Sequence, residues 1–155
     1  MAIRNFWLVG LFALLMAGTA QARDVSDVEL TDIDGKVHAI ADYEGKWVIV
    51  NFWATWCPPC LEEIPELVMF HDEHADQDAV VWGVNLERAD EQKLRGFIDQ
   101  QFVSYPVFPL DPKKGNPFGN VPALPTTFVI NPEGQLVQRK IGLVDTTWLE
   151  SVIGN

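Results

Sequence analysis

Trp47-Val48-Ile49-Val50-Asn51-Phe52-Trp53 runs through Ala54-Thr55 into Trp56-Cys57-Pro58-Pro59-Cys60. The first seven residues are apolar except for one asparagine. Such a run reads as a strand buried on both faces of a parallel sheet. Prolines are well tolerated in the first turn of a helix, where their missing N–H would lack a partner anyway. The stretch therefore predicts a strand handing over to a helix near Pro58. Both cysteines of the chain sit at that junction, three positions apart. A structural disulfide stabilises mainly by closing a long loop in the unfolded chain, and this loop is far too short for that. The pair suits a dithiol that opens and closes, so the sequence points to redox chemistry.

The same patterns extend outward in both directions. Upstream, residues 28–31 and 36–40 flank Asp32-Ile33-Asp34-Gly35, whose Asp-Gly pair predicts a hairpin turn. Downstream, Leu61, Ile64, Leu67 and Val68 give a helical stripe. Pro65 falls inside it and predicts a kink, because its ring clashes with the carbonyl four residues back. Residues 80–86 form a second buried strand. Asp90 caps a helix with Leu94, Phe97 and Ile98 on its apolar face. Residues 111–120 read as a Pro/Gly-rich loop. Residues 126–130 and 135–140 are strands joined by Asn131-Pro132-Glu133-Gly134, and Asp145 caps a last helix bearing Trp148, Leu149, Val152 and Ile153. The order is hairpin, βαβα, hairpin, α. It predicts an α/β fold: a central mixed β-sheet flanked on both faces by helices, with an N-terminal β-hairpin extension.

The 155 residues fit one domain, and 48% hydrophobic with 21% charged content is enough to bury a real core. The chain is acidic, with 11 Lys+Arg against 22 Asp+Glu, and carries no basic stripe, so nucleic acid is not an expected partner. The acidic surface serves solubility, with docking of a basic partner as the alternative. Arg4, the apolar run 6–17 and Ala20-Gln21-Ala22 read as a cleavable signal peptide over residues 1–22, leaving 23–155 as the folded domain. The apolar run falls short of the roughly 20 residues that span a bilayer, though a retained N-terminal anchor is the alternative. Export places the dithiol in an oxidising compartment such as the bacterial periplasm.

The thiolate is the working species in disulfide exchange, and a free thiol near pKa 8.5 is mostly protonated at neutral pH. Cys57 falls at the predicted N-cap, where unpaired backbone N–H groups and the helix dipole favour negative charge. This assigns Cys57 as the attacking thiolate and Cys60 as the resolving thiol. Pro58 and Pro59 stiffen the loop. Glu63, three residues after Cys60, lies on nearly the same helix face and could exchange a proton with it. The other reading makes Glu63 a first-turn glutamate complementing the helix dipole, as Glu62 is expected to be. Trp53, Trp82 and Phe97 are expected in the core, and Trp56 in an apolar docking surface.

Asn51-Phe52-Trp53-Ala54-Thr55-Trp56-Cys57-Pro58-Pro59-Cys60, Glu63-Ile64-Pro65 and Leu124-Pro125-Thr126-Thr127-Phe128 together resemble the TlpA/ResA-like branch of the thioredoxin superfamily. The resemblance covers roughly residues 28–153. It implies a thioredoxin-like fold and an exported thiol–disulfide oxidoreductase, with many members acting as reductases, some in cytochrome c maturation. By position it implies Cys57 and Cys60 as the redox pair, Glu63 as the active-site glutamate and Pro125 as a cis-proline beside the dithiol. Leu124 would then offer backbone to an extended substrate. Trp56, Pro58, Pro59, Leu124 and Pro125 form the expected substrate-binding set. Glu87 matches a second acidic position near the site. Asn51 stands where thioredoxins keep a buried aspartate, which leaves Glu63 to handle the proton. The resemblance further implies a monomer without a bound cofactor. Its substrates would be disulfide-bearing periplasmic proteins, and a membrane thiol-electron donor of the CcdA or DsbD type would supply electrons.

Three other readings fit the sequence less well. A peroxiredoxin-like peroxidase would need a Pro-x-x-x-Thr/Ser-x-x-Cys setting, and Phe52-Trp53-Ala54-Thr55-Trp56-Cys57 lacks the upstream proline. A copper-binding module could use Cys57 and Cys60 with His71 and His74. His71 lies roughly 16 Å along the helix from Cys60 at 1.5 Å per residue, so one ion would not reach both. The histidines are therefore expected in solvent near a helix end, and no metal is assigned. A redox-inactive scaffold domain conflicts with the intact Cys-x-x-Cys.

Overall fold

A computed structural model describes residues 22–154. The signal peptide expected at residues 1–22 lies outside them, save Ala22. The strands are β1 (Arg23–Asp24), β2 (Glu29–Thr31), β3 (Val37–Ala39), β4 (Trp47–Trp53), β5 (Ala79–Asn85), β6 (Val107–Pro109), β7 (Thr126–Ile130) and β8 (Gln135–Ile141). The helices are α1 (Pro58–His74), α2 (Glu91–Gln100) and α3 (Thr146–Ile153).

The main sheet has the order β1-β8-β7-β4-β5-β6. β4, β5 and β6 are parallel, while β7, β8 and β1 add antiparallel strands. This is the predicted mixed sheet of a thioredoxin-like fold. β2 and β3 form the expected hairpin as a separate two-stranded sheet.

β4 and α1 form as the sequence predicts, because the apolar run and the proline pair both act locally. α1 continues through Pro65 as one helix, and Pro65 is exposed on its outer side. Asp90 and Asp145 cap α2 and α3, their carboxylates accepting from the backbone N–H of Lys93 and Trp148. β6 escapes the sequence reading: three residues that follow Pro106 and end in Pro109 carry little strand signal of their own.

The expectation of α-helices on both faces is corrected. Leu67 and Ile64 of α1, Leu94 of α2 and Leu149 of α3 all join one core cluster with Ile49, Trp53, Val81 and Tyr105. The chain steps from β4 to β5 to β6 in one direction across the sheet. Right-handed crossovers in a constant direction put both connecting helices on the same face. The opposite face is covered by the β2–β3 segment, the 3₁₀ turn Ile40–Tyr43 and the loop holding Phe118. Trp82, Phe108, Phe118 and Phe128 fill it. Burying a side chain of that size stabilises by about 1.5–3 kcal/mol, enough to hold a helix-free layer in place.

Candidate active site

The end of β4 delivers Cys57 to the N-cap of α1. The two cysteines form a disulfide with their Cα atoms 5.3 Å apart. Both are buried, Cys57 at 3% exposure and Cys60 at 0%, so Cys57 is the one with surface to offer. Trp56 stands outside at 66% exposure. Pro58 is exposed and Pro59 half-buried beside it.

The cap differs from the expectation in one respect. Pro58 and Pro59 have no N–H, and the N–H groups of Cys60 and Leu61 both donate to the Cys57 carbonyl, at 3.0 and 3.2 Å. The first turn of the oxidised protein thus has no free backbone donor for a Cys57 thiolate. What favours negative charge there is the aligned dipole of a seventeen-residue helix.

Glu63 is buried at 1% exposure, one turn inside the helix from Cys60. The first turn of α1 holds no acidic residue, so Glu63 is not the first-turn glutamate of the alternative reading. Asn51 Nδ2 donates to its Oε1 at 2.7 Å, and the Val144 N–H donates to its Oε2 at 3.0 Å. Burial pushes its carboxyl up to about 7. The hydrogen bonds from Asn51 and Val144 and the Lys140 charge oppose that rise without cancelling it. Asn51 also donates to Thr127 Oγ1 at 3.0 Å, which ties β4, α1 and β7 together under the dithiol. Glu62 is exposed but, like Glu63, lies beyond the first turn where the dipole reading put it.

The Leu124–Pro125 bond is cis. Leu124 packs against the cluster that contains Cys57 and Cys60. The Pro125 carbonyl accepts from Gly142, two residues before the Val144 that holds Glu63, so the two sides of the site share one short segment. Glu87 serves the active-site turn: it accepts from the Thr55 N–H at 3.0 Å, the Thr55 hydroxyl at 3.1 Å and Asn85 Nδ2 at 2.8 Å.

Trp53 and Trp82 are fully buried, and Phe97 stacks on Trp53 with ring centres 5.4 Å apart. The histidines are not solvated as expected. His74 is buried between Asp78 and Glu150, 2.8 Å from each. His71 accepts the Val81 N–H on Nδ1. Glu73, His74 and Glu150 bring potential ligand atoms within 4.8 Å of one another. Asp78 and Glu150 take up both His74 nitrogens. Sequence reasoning also missed Tyr105, whose ring reaches over Gly83 into the helix-side core. A glycine inside an apolar strand is a sign of such a close approach.

A mixed sheet, a Cys-x-x-Cys disulfide at a helix N-terminus and a cis-proline loop packed against it define a thiol–disulfide oxidoreductase of the thioredoxin superfamily. The chain belongs to the AhpC/TSA family, whose model matches residues 22–139. It is 32% identical to the thiol-disulfide oxidoreductase ResA of Bacillus subtilis, over 86% of this chain and 72% of ResA. It is 29% identical to the thioredoxin-like protein YneN of the same organism, over 93% of this chain and 94% of YneN. A thiol:disulfide interchange protein from Chlorobium tepidum superposes with a TM-score of 0.74 at 26% identity, covering 87% of this chain and 96% of that one. These relatives agree with the dithiol reading over the peroxidase reading.

Proposed function

We propose that this protein is exported and reduces disulfide bonds in other proteins of the periplasm. The observation that carries the reading is Glu63: a buried carboxyl near pKa 7, one turn from the resolving cysteine. A general base works best when its pKa lies near the working pH, and a thiol near 8.5 is a matched partner.

In the first step the Cys57 thiolate attacks one sulfur of a substrate disulfide. A mixed disulfide forms and one substrate thiolate leaves. In the second step Cys60 gives its proton to the Glu63 carboxylate and attacks the Cys57 sulfur. The Cys57–Cys60 disulfide closes, and the second substrate sulfur leaves as a thiolate that takes a proton. Two electrons have passed to the substrate. Exposed Trp56, with Pro58 and Pro59, supplies the docking surface on one side, and Leu124-Pro125 supplies the other. A groove of about 570 Å³ reaches Thr55, the residue before Trp56, with Lys93 and Phe97 also in its lining.

Residues 1–22 serve as the export signal, and residues 23–155 are the working domain. Among the described residues no helix is long and apolar enough to cross a membrane. A reductase in an oxidising compartment needs a continuing electron supply, so a membrane thiol-electron donor of the CcdA or DsbD type is the proposed partner. Disulfide-bearing periplasmic proteins, with apocytochrome c as one candidate, are the proposed substrates, and the working unit is a monomer.

Two measurements test this. Cys60→Ser should accumulate mixed disulfides with substrate proteins, while Cys57→Ser should form none and lose turnover; equal behaviour of the two variants would refute the assignment. The midpoint potential decides direction. A value near the thioredoxin end, about −270 mV, supports a reductase, and one near −120 mV would make the protein a disulfide donor.

A further inference from the structure

Asn51 Oδ1, Trp53 Nε1 and the Tyr105 hydroxyl are buried without a hydrogen-bond partner among the described residues, and all three residues adjoin Gly83. Asn51 pairs with Gly83 across β4 and β5, and Trp53 follows two residues later on the same face. Tyr105 reaches the spot from the residue pair before β6. A side chain at position 83 would meet Tyr105 Cε2 at 2.7 Å and Trp53 Nε1 at 3.1 Å, so glycine is what lets the two rings approach. All three residues are buried, at 0%, 0% and 3% exposure.

Their chemistry is complementary to one small ligand. The indole N–H only donates, the Asn51 oxygen only accepts, and the phenol does either. A water molecule accepting from Trp53, donating to Asn51 and bonded to Tyr105 would satisfy all of them, with the three bonds usual for buried water. Leaving three buried groups orphaned costs more than immobilising one water.

The location gives this water a consequence. The other end of the same Asn51 amide donates to Glu63 and to Thr127. A donor held on Oδ1 fixes the amide in the orientation that presents Nδ2 to the carboxylate. It also polarises the amide, which strengthens that bond. We propose that Asn51 Oδ1, Trp53 Nε1 and the Tyr105 hydroxyl bind one buried water between them, and that Tyr105, through this water, is a positioning residue for the Asn51–Glu63 hydrogen bond. The Glu63 charge is felt at Tyr105, whose hydroxyl is pushed up first by burial and then by that carboxylate. The other titratable groups facing Glu63 are Cys60 on its own helix and Lys140 on β8.

This extends the proposed role of Glu63, and its test is separable from that role. In reduced wild-type protein, the Trp53 indole N–H should show an NMR cross-relaxation peak to a long-lived water. A high-resolution crystal structure should show that water on the three named atoms. In Tyr105→Phe, the Glu63 carboxyl titration should move upward by roughly half a unit to one unit, because the carboxylate loses part of its hydrogen-bond support. Tyr105 acting only as packing would leave that titration in place whatever happened to stability. A dry site in the wild type overturns the proposal, as does an unchanged Glu63 titration in the variant. Should Tyr105→Phe fail to fold, the wild-type water measurement decides alone. Neither readout uses turnover, so loss of the reductase reading through the cysteine variants would leave this result standing.

Discussion

The two ends of α1 each bury an ionisable side chain, and they treat it in opposite ways. At the N-terminal end Glu63 is held by neutral donors, the Asn51 amide and the Val144 N–H. Nothing there repays its desolvation in full, and its carboxyl rises to about 7. At the C-terminal end His74 is desolvated too, but the hydrogen bonds and charges of Asp78 and Glu150 outweigh that, and its pKa is raised above the ordinary histidine value. The first group is left poised to change charge near neutral pH. The second is biased toward its charged form and pins α1 to α3. Burial alone does not make a group chemically active; burial with uncharged partners does.

The comparison breaks most visibly at Glu63. Its carboxyl binds a proton more tightly in the folded protein than in the unfolded chain, where about 4.5 is ordinary. That contribution to stability is complete below about pH 4.5 and is lost as pH rises through 7. Glu63→Gln removes the loss. Both Glu63 oxygens accept from N–H donors, so a glutamine leaves one donor unpaired at every pH, a constant cost of about 1–3 kcal/mol. Relative to wild type the variant should nevertheless gain about 3 kcal/mol between pH 4 and pH 9, a shift of some two and a half units at 1.36 kcal/mol each. Denaturant melts at the two pH values check this. The second step of disulfide exchange should also lose its inflection near pH 7. A constant stability difference across that range would mean that Glu63 stays ionised.

His74→Gln should act with the opposite sign and a smaller size. The raised His74 pKa contributes stability that is full below about pH 6.5 and is lost as pH rises through the folded value. Its carboxylate partners are partly exposed, which limits the effect to about 1–2 kcal/mol. Thermal melts should show the variant least stable relative to wild type at pH 5.5, with the gap narrowing by pH 9. Turnover at 25 °C should be unaffected.

What could be read from the sequence follows the range of the forces involved. β4, the start of α1 and the caps Asp90 and Asp145 depend on near neighbours and were legible. Cys57, Cys60, Glu63 and the cis Leu124–Pro125 bond stood out through motif and resemblance. The burial of His74 was not legible, because its partner Glu150 is 76 positions away. Nor was Val144, 81 positions from Glu63, whose contribution is a backbone N–H that any residue but proline would supply. The single-sided arrangement of the α-helices escaped because it depends on strand order. β6, which fixes that order, is too short to announce itself.

Glu87 tests whether a carboxylate near the dithiol must be chemical at all. It accepts three hydrogen bonds, two of them from Thr55, the residue before exposed Trp56. A glutamine can keep every one. Its oxygen accepts from the Thr55 N–H and from Asn85. Its NH₂ donates to the Thr55 hydroxyl, which accepts as readily as it donates. Glu87→Gln should therefore change stability by no more than about 0.5 kcal/mol and leave exchange rates and their pH dependence as they are. Glu87→Ala would orphan the Thr55 N–H and the Asn85 amide and cost about 1–3 kcal/mol. If glutamine instead slows exchange while melting at the wild-type temperature, the charge of Glu87 matters, and the active site holds two working carboxylates where the geometry assigns one.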